Sequence, residues 1–505
     1  MRRVDNKTLR KRSERLPSLD SNNKVELDEN MSESTPEETI VPKGAWNILK
    51  RAFKTEFPPD FSHKEGRADV IRVAWPAFIE LFLMQLASMV STMMVGSLGT
   101  WAIAAVGFSG QLRLLAIAVF MAFNTGSTAL IARAKGARDP DLANKVMHQT
   151  ILFSMSISIL VAVLGTVFAR PLVIMMGAAD ELTIAGATRY VQVIMMTFPA
   201  NAFSMGVTAM LRGIGRTRVS MVYNIAANVT NVILGLLLIQ GNLGFPALGV
   251  TGAAIALGGG QIIAAIMAFF TILRGADILK LSFKKLLTID FSMFKRVSKI
   301  GTPAMFEQLF MRFGNIMFFR IIASLGTDAF ATHQIVLNIH MMTFMTGQAF
   351  GISATSLLGQ SMGKKRPDIG KGLVFLCRKY SLLVSMILVG GILIFGTPLV
   401  SLYTYDEYVI AAAVTILWVI AAIQPFQSSQ QVLAGALRGA GDTKAVAVCI
   451  FIGIVIVRPV MAYLTVTFTE FGVLGVWIAM LLDQVARSGY VMWRFISEKW
   501  KGIRV

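Results

Sequence analysis

The chain holds two cysteines, Cys377 and Cys449, among 505 residues. One lies beside a basic loop and the other inside an apolar stretch, so the pair offers neither a disulfide framework nor a cysteine-based metal knuckle. Charge is scarce as well: 15% of residues are charged against 54% hydrophobic, with a mean hydropathy of +0.62. Soluble domains carry about 25% charged residues, so this chain belongs in a bilayer. Its net charge of +19 would suit a nucleic acid, but the Lys and Arg residues fall in short clusters between apolar runs, and no nucleic-acid partner is expected. No GxxxxGKS or GxxxxGKT segment occurs, so ATP is not the expected energy source. The four histidines, His63, His148, His333 and His340, are scattered along the chain, which leaves no catalytic triad, no metal cluster and no cofactor to expect. An enzyme is not indicated.

What the chain has instead is long apolar runs. Residues 1–66 are polar, basic and then acidic, without an apolar core of the signal-peptide kind, and read as a disordered cytoplasmic tail. Near its end, Trp46, Leu49, Phe53 and Phe57 recur at helical spacing among Lys50, Arg51 and Lys54, the pattern of a short interfacial helix over 44–57. Twelve spans then follow, at about 70–95, 107–132, 148–168, 187–211, 219–240, 249–273, 300–323, 333–358, 378–396, 409–436, 445–467 and 473–496, each able to cross about 30 Å of hydrocarbon. Alternate loops carry clusters such as Arg133, Lys135 and Arg138, or Lys364, Lys365 and Arg366, while the opposite loops carry Arg170 alone. The positive-inside rule then puts both termini in the cytoplasm of a cell membrane.

The spans form two copies. Pro76, Glu80, Gly136 and Pro140 return 227 positions later as Pro303, Glu307, Gly363 and Pro367, and SLGT at Ser97–Thr100 returns at Ser324–Thr327. LRGIGRT at 211–217 returns as LRGAGDT at 437–443, and GVTGAAIA at 249 as GVLGVWIA at 472. The chain therefore reads as an all-α polytopic membrane protein of two pseudo-symmetric six-helix lobes, residues 67–273 and 300–497. A basic loop over 274–299 joins them, and a short cytoplasmic end, 498–505, follows. Six spans per copy make the repeats parallel, related by an axis along the membrane normal. That plan indicates a carrier whose substrate lies between the halves.

A carrier without ATP runs on an ion gradient, which calls for an ionisable group inside the membrane. Glu80 and Glu307 occupy matching positions, each four residues after a proline, and are the ion-coupling candidates; each could equally anchor a helix end by pairing with an arginine. Asp483 has Arg487 at i+4, the spacing of an intrahelical ion pair. Arg458 beside Pro459 suggests a kink. The cavity candidates are Asn201, Asn228, Asn231, Arg312, Asn315, Gln334, Asn338 and Gln427, with Met84, Met89, Met93, Met94, Met341, Met342 and Met345 as an adaptable apolar wall.

VGSLGT at Val95–Thr100, GFPALGVTGAAIA at Gly244–Ala256, SLGTDAFATHQI at Ser324–Ile335 and ALRGAGDT at Ala436–Thr443 together resemble the MATE (multidrug and toxic compound extrusion) transporters, over residues 70–497. The resemblance implies two lobes in a V, alternating access, and export of amphipathic, usually cationic, compounds in exchange for Na+ or H+, by a monomer in the lipid bilayer. The chain departs from the family pattern twice. Ser91 stands where the first span usually has an aspartate, and Gly235 ends the Asn231-Val-Ile-Leu segment that often ends in one. Ser91 thus joins the coupling candidates, with Glu80 three helical turns before it, and H+ is favoured over Na+. A flippase for a lipid-linked precursor and a non-transporting scaffold are the alternatives.

Overall fold

A computed structural model describes Phe57–Ile503 apart from residues 178–179 and 287; most of the tail, including residues 44–56 of the expected interfacial helix, lies outside the described residues. The first lobe consists of α1 (His63–Gly96), α2 (Thr100–Ala137), α3 (Pro140–Val167), α4 (Glu181–Gly213), α5 (Thr217–Leu238) and α6 (Gly249–Arg274). The second has α7 (Phe291–Ala323), α8 (Thr327–Gly363), α9 (Pro367–Ile394), α10 (Glu407–Gly439), α11 (Thr443–Phe468) and α12 (Gly472–Ile496). Ten of these are long and apolar enough to cross a membrane. The other two, α7 and α12, are of similar length, but their charges, Glu307 and Arg312, Asp483 and Arg487, lower their hydropathy.

The repeated motifs are the helix boundaries. In SLGT, Ser97 and Ser324 close α1 and α7 by donating their hydroxyls to Met94 and Ile321 carbonyls, each at 2.7 Å. Gly99 and Gly326 then turn the chain at φ 109° and 100°, a conformation that favours glycine. Asp180 and Asp406 cap α4 and α10 by accepting from Thr183 and Tyr408 amides. In LRGxGxT, Thr217 donates to the Val73 carbonyl (3.0 Å) and Thr443 to that of Ile300 (2.5 Å), the same bond in each copy. One departure is α11: it widens into a π-helix over Phe451–Val457, ahead of Arg458 and Pro459. Proline has no N–H to donate, and a widened turn absorbs the missing bond; α5 runs unbroken.

The lobes meet where glycines remove the side chain between backbones. A Cβ on Gly363 of α8 would lie 2.0 Å from the Arg133 carbonyl oxygen of α2, and one on Gly136 of α2 would lie 1.9 Å from that of Gln360 of α8. Gly136 and Gly363 are repeat partners, and so are Arg133 and Gln360, so the contact maps onto itself by a pseudo-twofold rotation, as an isologous interface does. Beside it, Gly301 of α7 rests on the Ala122 carbonyl, while Ala77 and Leu81 of α1 pack on Ala349 of α8. Three side chains clasp the same end. Ser356 and Gln360 donate to the Gly213 carbonyl at 3.0 and 3.1 Å, and Arg133 donates to those of Ala440 at 2.8 Å and Ile503 at 3.1 Å. All of these contacts belong to the end of the bundle with the basic loops.

The inter-lobe connection is laid along α3. Asn144 holds the Ile278 carbonyl and the Lys280 amide, His148 accepts from Ser282, and Gln149 accepts from Asp290. Lys145 and Ser292 beside Asp290, which caps α7, hold its carboxyl well below the usual range.

Gly363→Val places methyl groups against the Arg133 carbonyl, and overpacking of that kind costs about 1–3 kcal/mol. With Cys377 and Cys449 replaced by serine, a cysteine at Ser356, buried in the closed contact, is expected to react with a water-soluble maleimide at least about tenfold faster in the Gly363→Val background. Equal rates would show that this contact does not seal the basic end.

Candidate transport cleft and ion-coupling site

The two glutamates do not face one another across the cleft; each is buried in its own lobe and held by an arginine from the LRG motif. Glu80 of α1 accepts from Arg212 of α4 at 2.7 Å, and Glu307 of α7 accepts from Arg438 of α10 at 2.5 Å. Arg212 and Arg438 are themselves repeat partners, so duplication preserved the pair, not the lone carboxylate. The surroundings differ. Glu80 also accepts from Asn224 at 2.6 Å and Ser220 at 3.4 Å, whereas Ile450 and Val446 stand at the matching positions near Glu307, whose acceptor bonds go to Arg438 alone among the described residues. Each arginine immediately adjoins the carbonyls that the opposite lobe clasps: Arg212 precedes Gly213, and Arg438 lies two residues before Ala440.

The second lobe buries a polar network. Asp483 of α12 accepts from Arg487 at 2.7 Å, the i+4 pair, and also from Arg458 of α11 at 2.7 Å, while Arg458 reaches Asn315 of α7 at 3.4 Å. On α8, His340 takes a hydrogen bond from Gln427 of α10 at 3.2 Å, and the Trp477 ring packs against both His340 and His333. Both nitrogens of His333, the Nδ1 of His340, the Oε1 atoms of Gln424 and Gln427, the Trp477 Nε1 and the Gln484 Nε2 find no partner among the described residues. Buried polar atoms are expensive without partners, so this interior is built around polar chemistry.

The first lobe carries the matching positions with other residues. Arg113 stands where the second lobe has His340, Asn201 where it has Gln427, and Gln261 where it has Gln484, while Gly260 stands in place of Asp483. Asn231 is buried with its Oδ1 unpartnered, and Asn201, Asn228 and Ser91 are half-buried. Arg113 faces Tyr190 and has no carboxylate beside it among the described residues.

Between the lobes, four polar positions lie three helical turns from the closed contact: Gln85 from Ala74, Gln111 from Ala122, Arg312 from Gly301 and Asn338 from Ala349. Eleven residues of α-helix return to nearly the same face, so all four point into the cleft, and all are exposed or half-buried. They are two repeat pairs, Gln85 with Arg312 and Gln111 with Asn338. Gln334 is exposed one turn before Asn338.

The candidates therefore divide among three places. Gln334, Asn338 and Arg312 lie on the inter-lobe faces of α8 and α7; Asn315 and Gln427 belong to the second-lobe network; Asn201, Asn228, Asn231 and Ser91 belong to the first lobe. Sequence reasoning set His333 and His340 aside as scattered, yet their i, i+7 spacing on one helix face was the available signal. The Arg458–Asp483 pair crosses two helices and left none.

Removing one partner of a buried ion pair costs about 3–5 kcal/mol, because the other charge stays buried alone. Glu307→Ala is expected to lower the melting temperature of the purified protein, and the double variant with Arg438→Ala to regain part of the loss. Glu80→Ala strips three donors and is expected to cost more. Additive effects of Glu307→Ala and Arg438→Ala in a thermal-melt cycle would mean that the pair contributes nothing to the lobe.

The pattern of the MatE family matches residues 76–237 and again 303–464, the same 227-residue offset as the motifs. A probable multidrug resistance protein NorM of Thermotoga maritima is 28% identical over 449 residues, covering 89% of this chain and 96% of that protein. The uncharacterized transporter YisQ of Bacillus subtilis is 28% identical over 436 residues, with 85% and 94% covered. Among solved structures, MATE in the straight conformation superposes with a TM-score of 0.81 at 19% identity, over 87% of this chain and 97% of that one. A MOP superfamily transporter from Pyrococcus furiosus gives 0.79 at 20%, with the same coverage. With both halves matched and the two-lobe architecture in place, the chain belongs to the MatE family of multi-pass membrane transporters.

Proposed function

We propose that this protein is a secondary active exporter that moves amphipathic compounds across the cell membrane by alternating access, in exchange for H+, with both termini in the cytoplasm. The observation that carries the reading is the distribution of contacts between the lobes. They are sealed at the basic end by glycine crossings and three side-chain clasps, while the amide-bearing faces three turns further on remain exposed or half-buried. A seal at one end and a solvated cleft beyond it is one of the two states an alternating-access carrier needs. The relatives named as multidrug resistance proteins NorM support export of more than one compound.

The Glu–Arg pairs supply a route from ion to seal. Glu307 fixes Arg438 at the end of α10, and the Ala440 carbonyl just beyond it receives Arg133 from the other lobe. Protonating Glu307 leaves Arg438 without its counter-charge, shifts the end of α10 and weakens the grip of Arg133. Because each carboxylate is closed in by an arginine, neither offers the open set of oxygens that Na+ requires, which favours H+.

The test is dye export from proteoliposomes with the membrane potential clamped, under a pH gradient or a Na+ gradient alone. Export is expected under the pH gradient, with Glu307→Gln slower by about tenfold or more, the effect of about 1.4 kcal/mol on one step. Wild-type rates in Glu307→Gln would remove Glu307 from the coupling, and drive by Na+ alone would replace the ion.

A further inference from the structure

The fixed charge available inside the membrane is positive. Glu80, Glu307 and Asp483 are all buried, and every one is bound by arginine, Asp483 by two. Arg312 is the opposite case. It is half-buried on the cleft face of α7, and no hydrogen bond or ion pair reaches it among the described residues. Its repeat partner is the neutral Gln85, and the second pair in the cleft, Gln111 and Asn338, is neutral too. The excess extends into both lobes: Arg113 has no carboxylate beside it among the described residues, and Arg458 and Arg487 share one aspartate. A low-dielectric cleft focuses such a field on whatever enters it.

Resting on the export reading above, we propose that the compounds this transporter takes carry an anionic group, a carboxylate, sulfonate or phosphate, on an apolar body, and that Arg312 receives that group. A guanidinium presents donors in a planar fork suited to two oxygens of one acid group. Cleft amides donate to the same oxygens or to neutral polar atoms, and methionine side chains, Met84 exposed and Met345 half-buried, adapt to the apolar body. A single charge off the pseudo-twofold axis also gives the substrate one orientation in an otherwise near-symmetric cleft.

Rhodamine 19 and its ethyl ester, rhodamine 6G, share one ring system and differ in a free carboxylate, so their ratio reads the anionic group alone. Wild-type protein in proteoliposomes is expected to move the carboxylate dye at least about tenfold faster than the ester, a discrimination of about 1.4 kcal/mol. Arg312→Gln is expected to abolish that ratio, Arg312→Lys to keep most of it, and Arg312→Glu to invert it. Because both dyes are compared in the same sample, a loss of folded protein does not alter the ratio. Equilibrium binding of the two dyes to the purified full chain by fluorescence polarisation gives the same ratio without transport. Tighter binding of the carboxylate dye that Arg312→Gln abolishes supports the proposal even where neither dye is exported, an outcome that would count against the export reading instead. Equal affinity for the two dyes, preference for the ester, or a ratio unchanged in Arg312→Gln overturns it.

Discussion

Everything in this fold is referred to one close approach, the crossing of α2 and α8 at Gly136 and Gly363. Apolar side chains gain little from contact with one another inside a lipid bilayer, since lipid tails are equally apolar. Two membrane lobes hold together where backbones come close enough for dispersion and polar contacts to act. The paired glycines make that possible where the contact maps onto itself across the pseudo-twofold axis. Each copy contributes the same groups to the contact, so a mutation in the ancestral repeat would have altered both sides at once.

From that axis outward the copies diverge in a graded way. The contact itself is conserved in kind, glycine against carbonyl. The clasps beside it are conserved in place but not in chemistry, an arginine on one side and a glutamine on the other. The glutamate–arginine pairs are conserved, yet Glu80 gained Asn224 and Ser220 and Glu307 did not. In the lobe interiors little is retained except polarity, with Arg113 against His340 and Gly260 against Asp483. Geometry near the axis is constrained by both copies together, while each interior is constrained by its own lobe, which is where divergence is tolerated.

This gradient also accounts for what could be read in the sequence. The motifs near the boundaries, SLGT and LRGxGxT, are turns whose chemistry is local; the helices after LRGxGxT, α5 and α11, begin within two residues of the expected spans, whereas α2 and α8 begin at the repeated threonine itself, seven and six residues before the expected apolar runs. The expected spans fell short chiefly at the basic end, where α3 and α9 begin at Pro140 and Pro367, because polar residues there extend the helices past the apolar run. The carboxylates were visible as rare acids in apolar spans, and so was the alternative that an arginine would pair with them. Which arginine was not visible, since Arg212 and Arg438 lie over 130 residues away and share no periodicity with their partners. Most of the second-lobe network was hidden for the same reason: it joins α7, α8, α10, α11 and α12, and only the Asp483, Gln484 and Arg487 cluster on α12 and the His333 and His340 spacing on α8 lie within single helices.

The arrangement of α10 ties these observations to motion. Along one helix lie Gln424, donating to the Thr343 carbonyl, Gln427, bonded to His340, and Arg438, bound to Glu307 beside the clasp on Ala440. Pro425 sits in that helix between Gln424 and Gln427, and α4 carries Pro199 at the matching place. A proline inside a helix leaves one carbonyl without its intrahelical donor and lowers the cost of bending there. The stretch from Gln427 to Arg438 is uninterrupted helix, stiff over three turns, with a bendable joint at its upper end and the inter-lobe clasp at its lower end. In the proposed exchange, a change in the polar interior or at Glu307 would be delivered to the same carbonyl. Two inputs acting on one short lever need no chain of relayed contacts to be coupled, only that the lever have two positions.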